Sequence, residues 1–541
     1  MRTPPGVSEA DFAAALQQFA GVVGSQWVFT SDDDVATYKD AYSPLWGESE
    51  DKVASAAVAP DSVEQIQKIL AIANHFSVPL YTVSTGRNLA YGGSAPVYSG
   101  SVVLDLKRMN RVLEVNEEFA YALVEPGVSY FDLYRHIREK GLKLWIDVPD
   151  PGWGSLIGNA VDHGAGRTPL PYRDHFDAHC GMEVVLANGQ VVRTGMGAIP
   201  GSRLWQQTKY GPGPLVDGIF SQSNFGIVTK MGFWLMPEPE ASMTGRVRVP
   251  RHDDLIPFVR ILSNLMYSNI VNCNFTIQSP VFLAPSTPEK EQLLAKSDGG
   301  SAQEWDRFAA AHNLGHFWET ELRFYGPPKI MAAQWEYVKE RFSAVSGARF
   351  DEGETTRFPL TDEQINKLPD HTTFGIPSLS VFSGMAVGSL TGSGEPGGLQ
   401  TTGHLDASPI VPISGEALLK AHRVFDRVFQ EAGLPRGLGF AFNYHWRTFI
   451  MFQGLQVTNN KEHNAKVRSA YEKCAKAAAD NGWGLYRAHI AFHDQVMSLM
   501  SYNHHALMRL NETLKDALDP KGILSAGRYG IWPKHLRRSR S

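Results

Sequence analysis

Ser84-Thr85-Gly86-Arg87-Asn88-Leu89-Ala90-Tyr91-Gly92-Gly93 interrupts two strand-like apolar runs, 78–83 and 101–106. A strand that opens into a glycine- and hydroxyl-rich loop turns several backbone N–H groups toward one point, which suits a phosphate or pyrophosphate. Gly86, Gly92 and Gly93 permit positive φ and close approach of a ligand, and Arg87 adds charge. Taken alone, such a glycine-rich loop is usually just a turn between strands. It is not a dinucleotide fingerprint, because no helical pattern follows it, and it is not a Walker loop, because no Gly-Lys-Ser/Thr occurs there. Upstream, Asp61 and Glu64 have capping-box spacing, and Val63, Ile66, Leu70 and Ala73 recur at helical period. The order is therefore helix, strand, glycine loop, strand.

The chain has 541 residues, enough for two large domains. A net charge of −5 gives no nucleic-acid footprint. The three cysteines, Cys180, Cys273 and Cys474, have no metal-type spacing and predict a reducing, cytoplasmic setting. Cys474 falls in a helical pattern and reads as a small buried residue. No apolar run is long enough to cross a membrane, and the basic stretch Arg537-Arg538-Ser539-Arg540-Ser541 reads as a solvated tail. Helices are predicted over 129–140, capped by Ser129 and stopped by Gly141, near 415–432 and near 461–480. Pro237-Glu238-Pro239 reads as a linker, and 392–403 as a loop.

Further motifs run along most of the chain: Val124-Glu125-Pro126-Gly127-Val128-Ser129-Tyr130, Asp147-Val148-Pro149-Asp150, Trp153-Gly154-Ser155-Leu156-Ile157-Gly158-Asn159-Ala160, Ser221-Gln222-Ser223-Asn224-Phe225-Gly226-Ile227 and Gly482-Trp483-Gly484-Leu485-Tyr486-Arg487. With the glycine loop, they make the chain resemble the vanillyl-alcohol oxidase and 4-cresol dehydrogenase family, and within it the vanillyl-alcohol and eugenol oxidase branch. Residues 251–354 match only loosely. The resemblance implies an α+β fold: a discontinuous FAD-binding domain (1–240, returning at 485–541) with an inserted substrate-binding cap domain (241–484).

It also implies roles. FAD would lie against Ser84, Thr85, Gly86, Arg87, Asn88, Ser155, Asn159, Ile227 and Arg528. His404, in Thr402-Gly403-His404-Leu405, matches the histidine joined covalently to the flavin; without the motif it is an ordinary loop histidine. Tyr91, Tyr486 and Arg487 match the phenol-binding trio. Two hydroxyls and a guanidinium can lower a phenol's pKa and hold its anion, from which a benzylic hydride leaves more readily. Outside the motif they read as half-buried tyrosines and a surface ion pair. Asp150 matches the carboxylate that activates water toward a p-quinone methide, and it also suits a Pro-rich turn. No metal is implied.

Some positions depart from the family pattern. The stretch 167–175 is longer than usual, Asp406 and Ala407 stand where glycine or aromatics are common, and the segment around His445 differs. Asp406 and His445 are expected to make the substrate cavity more polar. Ala165 and Ala407 are expected to leave room for a para substituent, with Arg167 nearby. The function implied is oxidation of 4-alkyl, 4-allyl or 4-hydroxybenzyl phenols with oxygen as acceptor and hydrogen peroxide as product. A dehydrogenase passing electrons to a cytochrome keeps the same half-reaction. A sugar-acid or lactone oxidase would not need the phenol trio, and a flavin-binding scaffold would need no catalytic residues. A homodimer or larger homo-oligomer is expected.

Overall fold

The computed structural model describes residues 2–149, 151–283, 287–296, 300–380, 401–435 and 441–537. Its first layer is a four-stranded sheet in the order Val28–Phe29, Ala56–Val58, Val102–Asp105, Leu80–Val83, in which the last three strands are parallel. Those three read Ala-Ala-Val, Val-Val-Leu-Asp and Leu-Tyr-Thr-Val and are almost wholly buried, as parallel strands covered on both faces require. Helix Val63–Phe76 is the crossover, burying Ile66, Ile69, Leu70 and Ala73 at helical spacing, and helix Glu9–Val23 packs on it through Phe12, Leu16 and Phe19.

The expected capping box at Asp61 and Glu64 does not form. Ser62 is the N-cap, Arg108 draws the Asp61 carboxylate into an ion pair at 2.7 Å, and the Gln65 side chain instead accepts the Asp61 N–H at 2.9 Å. A long-range cation outcompetes the local cap.

The second sheet is antiparallel, ordered Val112–Asn116, Tyr121–Val124, Ile227–Trp234, His179–Val185, Val191–Arg193. Helix Tyr130–Glu139 opens with a Ser129–Asp132 capping box, and Gly141 follows at φ 63°. After the short strand Met236–Pro237 the chain enters a three-stranded antiparallel sheet centred on Ala241–Val249, flanked by Trp318–Gly326 and Arg349–Arg357. A five-stranded sheet follows, ordered Thr276–Ile277, Ala441–His445, Thr448–Met451, Pro409–Pro412, Gly484–Leu485. Helices Leu255–Tyr267, Gly415–Ala432 and Lys461–Asp480 cover this part and share one large core with both sheets. Cys474 is inside that core, and burial pushes its thiol up to about 12, so it is inert packing.

Of the stretch read as a loop over 392–403, residues 392–400 lie outside the described residues. Residues 401–403 belong to strand Thr401–Asp406, paired antiparallel with Gly454–Thr458. Arg537 is not part of a solvated tail: it forks onto Asp516 at 2.6 and 2.8 Å and donates to the Trp532 carbonyl. Among the described residues no helix is long and apolar enough to span a membrane.

The end of the chain packs back on the first sheet. Leu80 N–H donates to Ile523 O and Ser525 N–H to Leu80 O, each at 2.7 Å. The clasp is Lys515, fully buried, whose ammonium donates to Asn224 O, Leu524 O and the Asp519 carboxylate at 2.7–2.9 Å. Replacing Lys515 by Met would leave a buried carboxylate without its cation. It is expected to cost about 3–5 kcal/mol, read as a fall in the urea midpoint at unchanged slope.

Candidate functional site

A groove of about 180 Å³ runs between the two sheets of the first domain. One wall is the glycine loop, 84–88; the other is the start of helix Leu156–Val161 with 224–228; Arg528 closes the end. Close approach of the walls depends on two glycines. Gly86 sits at φ 68°, and a Cβ there would run into Ser94, whose hydroxyl donates to Gly86 O at 2.9 Å. A Cβ on Gly158 would run into the Ser84 hydroxyl. Ser155 caps the short helix by accepting from Gly158 N–H at 3.1 Å and donates to Pro126 O at 2.6 Å. Ile227 is buried as the groove floor. The Arg87 guanidinium lies 4.8 Å from the Trp153 ring centroid.

The groove opens into a cavity of about 270 Å³, with Arg87, Asn88, Gly154, Asn159 and Arg487 on the boundary of both. Tyr91, Tyr486, Arg487, His404, Asp406, Ala165 and Arg167 all line it. Strand pairing brings them together. Tyr486 N–H donates to Ser408 O at 2.8 Å, so the segment carrying Tyr486 and Arg487 is tied two residues beyond Asp406. The Arg487 guanidinium lies over the Tyr486 ring at 4.7 Å and the Tyr91 ring at 5.1 Å. The Tyr91 hydroxyl donates to Asp406 Oδ2 at 3.3 Å, and the Tyr486 hydroxyl donates to the His163 carbonyl at 2.5 Å. His404 Nε2 is 3.8 Å from Asp406 Oδ1, and its ring packs on Tyr42 at 5.6 Å.

Burial dominates the protonation chemistry. It holds Tyr91 well above a phenol's ordinary pKa and pushes Tyr486 up to about 12, so both stay protonated at neutral pH. Burial opposes the Arg487 charge, but Tyr486, Asp162 and Tyr91 outweigh it and hold the guanidinium more firmly protonated than usual. Burial also raises the Asp406 carboxyl, while His404, Tyr91 and Arg487 pull it down. Three buried polar atoms at this junction have no hydrogen-bond partner among the described residues: His404 Nδ1, Asp406 Oδ1 and Arg487 Nε. A narrow groove lined by backbone, opening onto a polar chamber with unsatisfied groups, fits a long anionic cofactor with its reactive ring beside the chamber.

Not every expected residue faces the cavity. Ala407 is fully buried in the core and is not part of the lining. His445 is turned away, with its ring nitrogens 3.1 Å from an Asp174 carboxylate oxygen and 3.8 Å from one of Asp177. These three residues bring ligand-type atoms within 4.8 Å of one another. Asp150 lies outside the described residues; its neighbours Pro149 and Pro151 line the cavity.

Residues that the sequence analysis passed over also shape the site. Asp162, buried just past Asn159, pairs Arg528 at 2.8 Å, accepts from Asn88 Nδ2 at 2.8 Å and lies 4.0 Å from Arg487. His163, at φ 54°, presents its carbonyl to both Tyr486 and Tyr444. Tyr42, Phe442, Ile450 and Phe452 supply apolar wall. Only Asp162 carried a signal, an acid directly following a ligand-binding motif.

Two family models match: "FAD binding domain" over residues 54–195 and "FAD linked oxidases, C-terminal domain" over 411–529. The chain is 32% identical over 532 residues to the 4-cresol dehydrogenase [hydroxylating] flavoprotein subunit of Pseudomonas putida, covering 98% of this chain and 97% of that one. Its fold matches a p-cresol methylhydroxylase structure with substrate bound (TM-score 0.82, 30% identity, 98% and 99% of the two chains). It matches equally an isoeugenol complex of 4-ethylphenol oxidase from Gulosibacter chungangensis (TM-score 0.82, 34% identity, 99% and 100%). Groove, chamber and full-length similarity agree: the chain belongs to the FAD-dependent oxidoreductases of the vanillyl-alcohol oxidase and 4-cresol dehydrogenase family.

Proposed function

We propose that the protein oxidises para-substituted phenols of the 4-alkyl, 4-allyl or 4-hydroxybenzyl type at the benzylic carbon, with oxygen as the electron acceptor. The observation that carries this is Arg487 held between the rings of Tyr91 and Tyr486 in a chamber that opens onto the cofactor groove. FAD, when bound, takes a hydride from the substrate and passes two electrons on.

The chain's own residues set up that transfer. Arg487 is the fixed positive charge that favours phenolate over phenol, and the two tyrosine oxygens fix where the phenolic oxygen sits. Electron release from the phenolate para to the reacting carbon makes hydride loss easier and leaves a p-quinone methide. Asp150, by its match to the family carboxylate, would activate the water that adds to the methide. Among the chamber residues, Pro149, Ala165, Phe442, Ile450 and Phe452 offer no side-chain hydrogen bond and suit the alkyl or alkenyl arm. The buried Nδ1 of His404, without a hydrogen-bond partner among the described residues, supports a covalent tie between this ring and the flavin.

Anaerobic 4-ethylphenol is expected to bleach the flavin, and admitted air to restore it quickly with formation of peroxide. Slow recovery would assign the electrons to a cytochrome instead. Arg487→Ala is expected to lower kcat/KM for phenols by about 10²-fold or more, the equivalent of about 3 kcal/mol for a charged hydrogen-bond partner. An unchanged kcat/KM would favour a sugar-acid or lactone substrate. On a denaturing gel, flavin fluorescence is expected to stay with the parent polypeptide and to leave it in His404→Ala; release from the parent would exclude a covalent link.

A further inference from the structure

Asp406 is a carboxylate inside a chamber built to hold a phenolate. It is 6% exposed, lines the chamber, and has one oxygen without a hydrogen-bond partner among the described residues. Two like charges in one buried site oppose each other, so an ionised Asp406 would work against the anion that Arg487 favours.

Hydrogen-bond direction resolves the conflict. The His163 carbonyl can only accept, so the single Tyr486 O–H points at it and away from the chamber. An ionised carboxylate can likewise only accept, so the Tyr91 O–H points at Asp406 Oδ2. Of the trio, Arg487 alone offers donors to an incoming phenol, and both tyrosine oxygens offer lone pairs. The phenolic proton therefore has an acceptor, Tyr91 Oη, whose own proton already points to a carboxylate.

Building on the phenol reading above, we infer that Asp406 receives the phenolic proton through Tyr91. The phenol O–H bond breaks and its proton goes to Tyr91 Oη, while the Tyr91 O–H proton goes to Asp406 Oδ2. The outcome is a phenolate, a neutral Tyr91 whose O–H now points at that phenolate, and a neutral Asp406 carboxylic acid. No oxidation state changes and no proton enters or leaves the site. One negative charge remains opposite Arg487 in place of two.

The groups facing Asp406 fit this role. On its own strand His404 Nε2 is 3.8 Å away; from the other elements come Tyr91, Arg487 and Tyr471. The Tyr471 hydroxyl accepts from His489 N–H at 3.1 Å. Asp162 is committed to Arg528 and Asn88, so it is no rival acceptor. Burial raises the Asp406 carboxyl, which makes it a better proton acceptor than an exposed aspartate and brings its ionisation toward the working pH.

The test uses the FAD-loaded protein and 4-nitrophenol, which has no benzylic carbon to oxidise and whose anion absorbs visible light. Below the pH at which the free phenol ionises, the parent protein is expected to bind it as the anion without releasing a proton to a dilute indicator dye. Asp406→Asn is expected to bind it neutral, to lower kcat/KM for 4-ethylphenol by about 10²-fold or more, and to move the acid limb of the pH profile up toward the phenol's own ionisation. Asp406→Glu is expected to restore part of both. Tyr91→Phe, which breaks the path and leaves the carboxylate in place, is expected to give the same neutral spectrum even if the Asn variant does not fold. Anion binding unchanged by either substitution would overturn the relay alone. No binding by the parent would overturn the phenol reading and the relay with it.

Discussion

The buried carboxylate of Asp162 is the tie on which the site's geometry rests. It joins the glycine loop through Asn88, the last segment of the chain through Arg528 and the chamber through Arg487, so that the loop is tied to two pieces that come about 400 positions later. Burying a carboxylate is costly unless it is paired and hydrogen-bonded, and here one anion is shared between two guanidiniums and an amide. The sharing leaves an excess of positive charge where groove and chamber meet. That is the place where an anionic cofactor and, on the proposed function, an anionic substrate would be held close together.

The same logic explains why the end of the chain packs back on the first sheet. Arg528 can reach Asp162 only because 523–525 lie against strand Leu80–Val83, and that docking is locked by Lys515 under Asn224, Asp519 and Leu524. Arg528 also donates to Tyr81 at 3.1 Å, so the strand that launches the glycine loop and the segment that closes the groove are fixed to each other. Folding stability and cofactor geometry thus draw on one set of buried ion pairs.

Much of this was legible in the sequence. The apolar runs around the glycine loop, the period of helices Val63–Phe76 and Gly415–Ala432, and the ordered motifs carrying Tyr91, His404, Tyr486 and Arg487 are local signals. What was not legible depends on pairs far apart in the chain. Tyr91 and Asp406 are 315 positions apart, and no local pattern announces their contact. Arg108 took Asp61 from its helix cap in the same way. The misplacement of Ala407 has a simpler cause. Residues 404–407 run in extended chain, so side chains alternate: His404 and Asp406 face the chamber while Leu405 and Ala407 face the core. Reading Asp406 and Ala407 together as cavity residues overlooked that period of two. His445 sits on a strand whose neighbour in space is Asp174, and that carboxylate decides where its ring points.

The chamber separates two demands on its ligand. The chamber lining combines side chains that can hydrogen-bond, Arg487, Tyr91, Tyr486 and Asp406 among them, with side chains that cannot, Phe442, Ile450 and Phe452. A buried, hydrogen-bonding end rejects a ligand that lacks the matching group far more strongly than an apolar end rejects a change of shape, because the unmatched polar atoms stay unpaired. On the proposed function, discrimination is concentrated at the hydroxyl end, where Arg487 Nε and Asp406 Oδ1 have no hydrogen-bond partner among the described residues. Under the proposed relay, an O-methylated phenol keeps its ring and its para arm but would have no proton to give Tyr91 and would not become an anion opposite Arg487. On the proposed function, the architecture selects for a free phenolic hydroxyl first and for the para substituent only second.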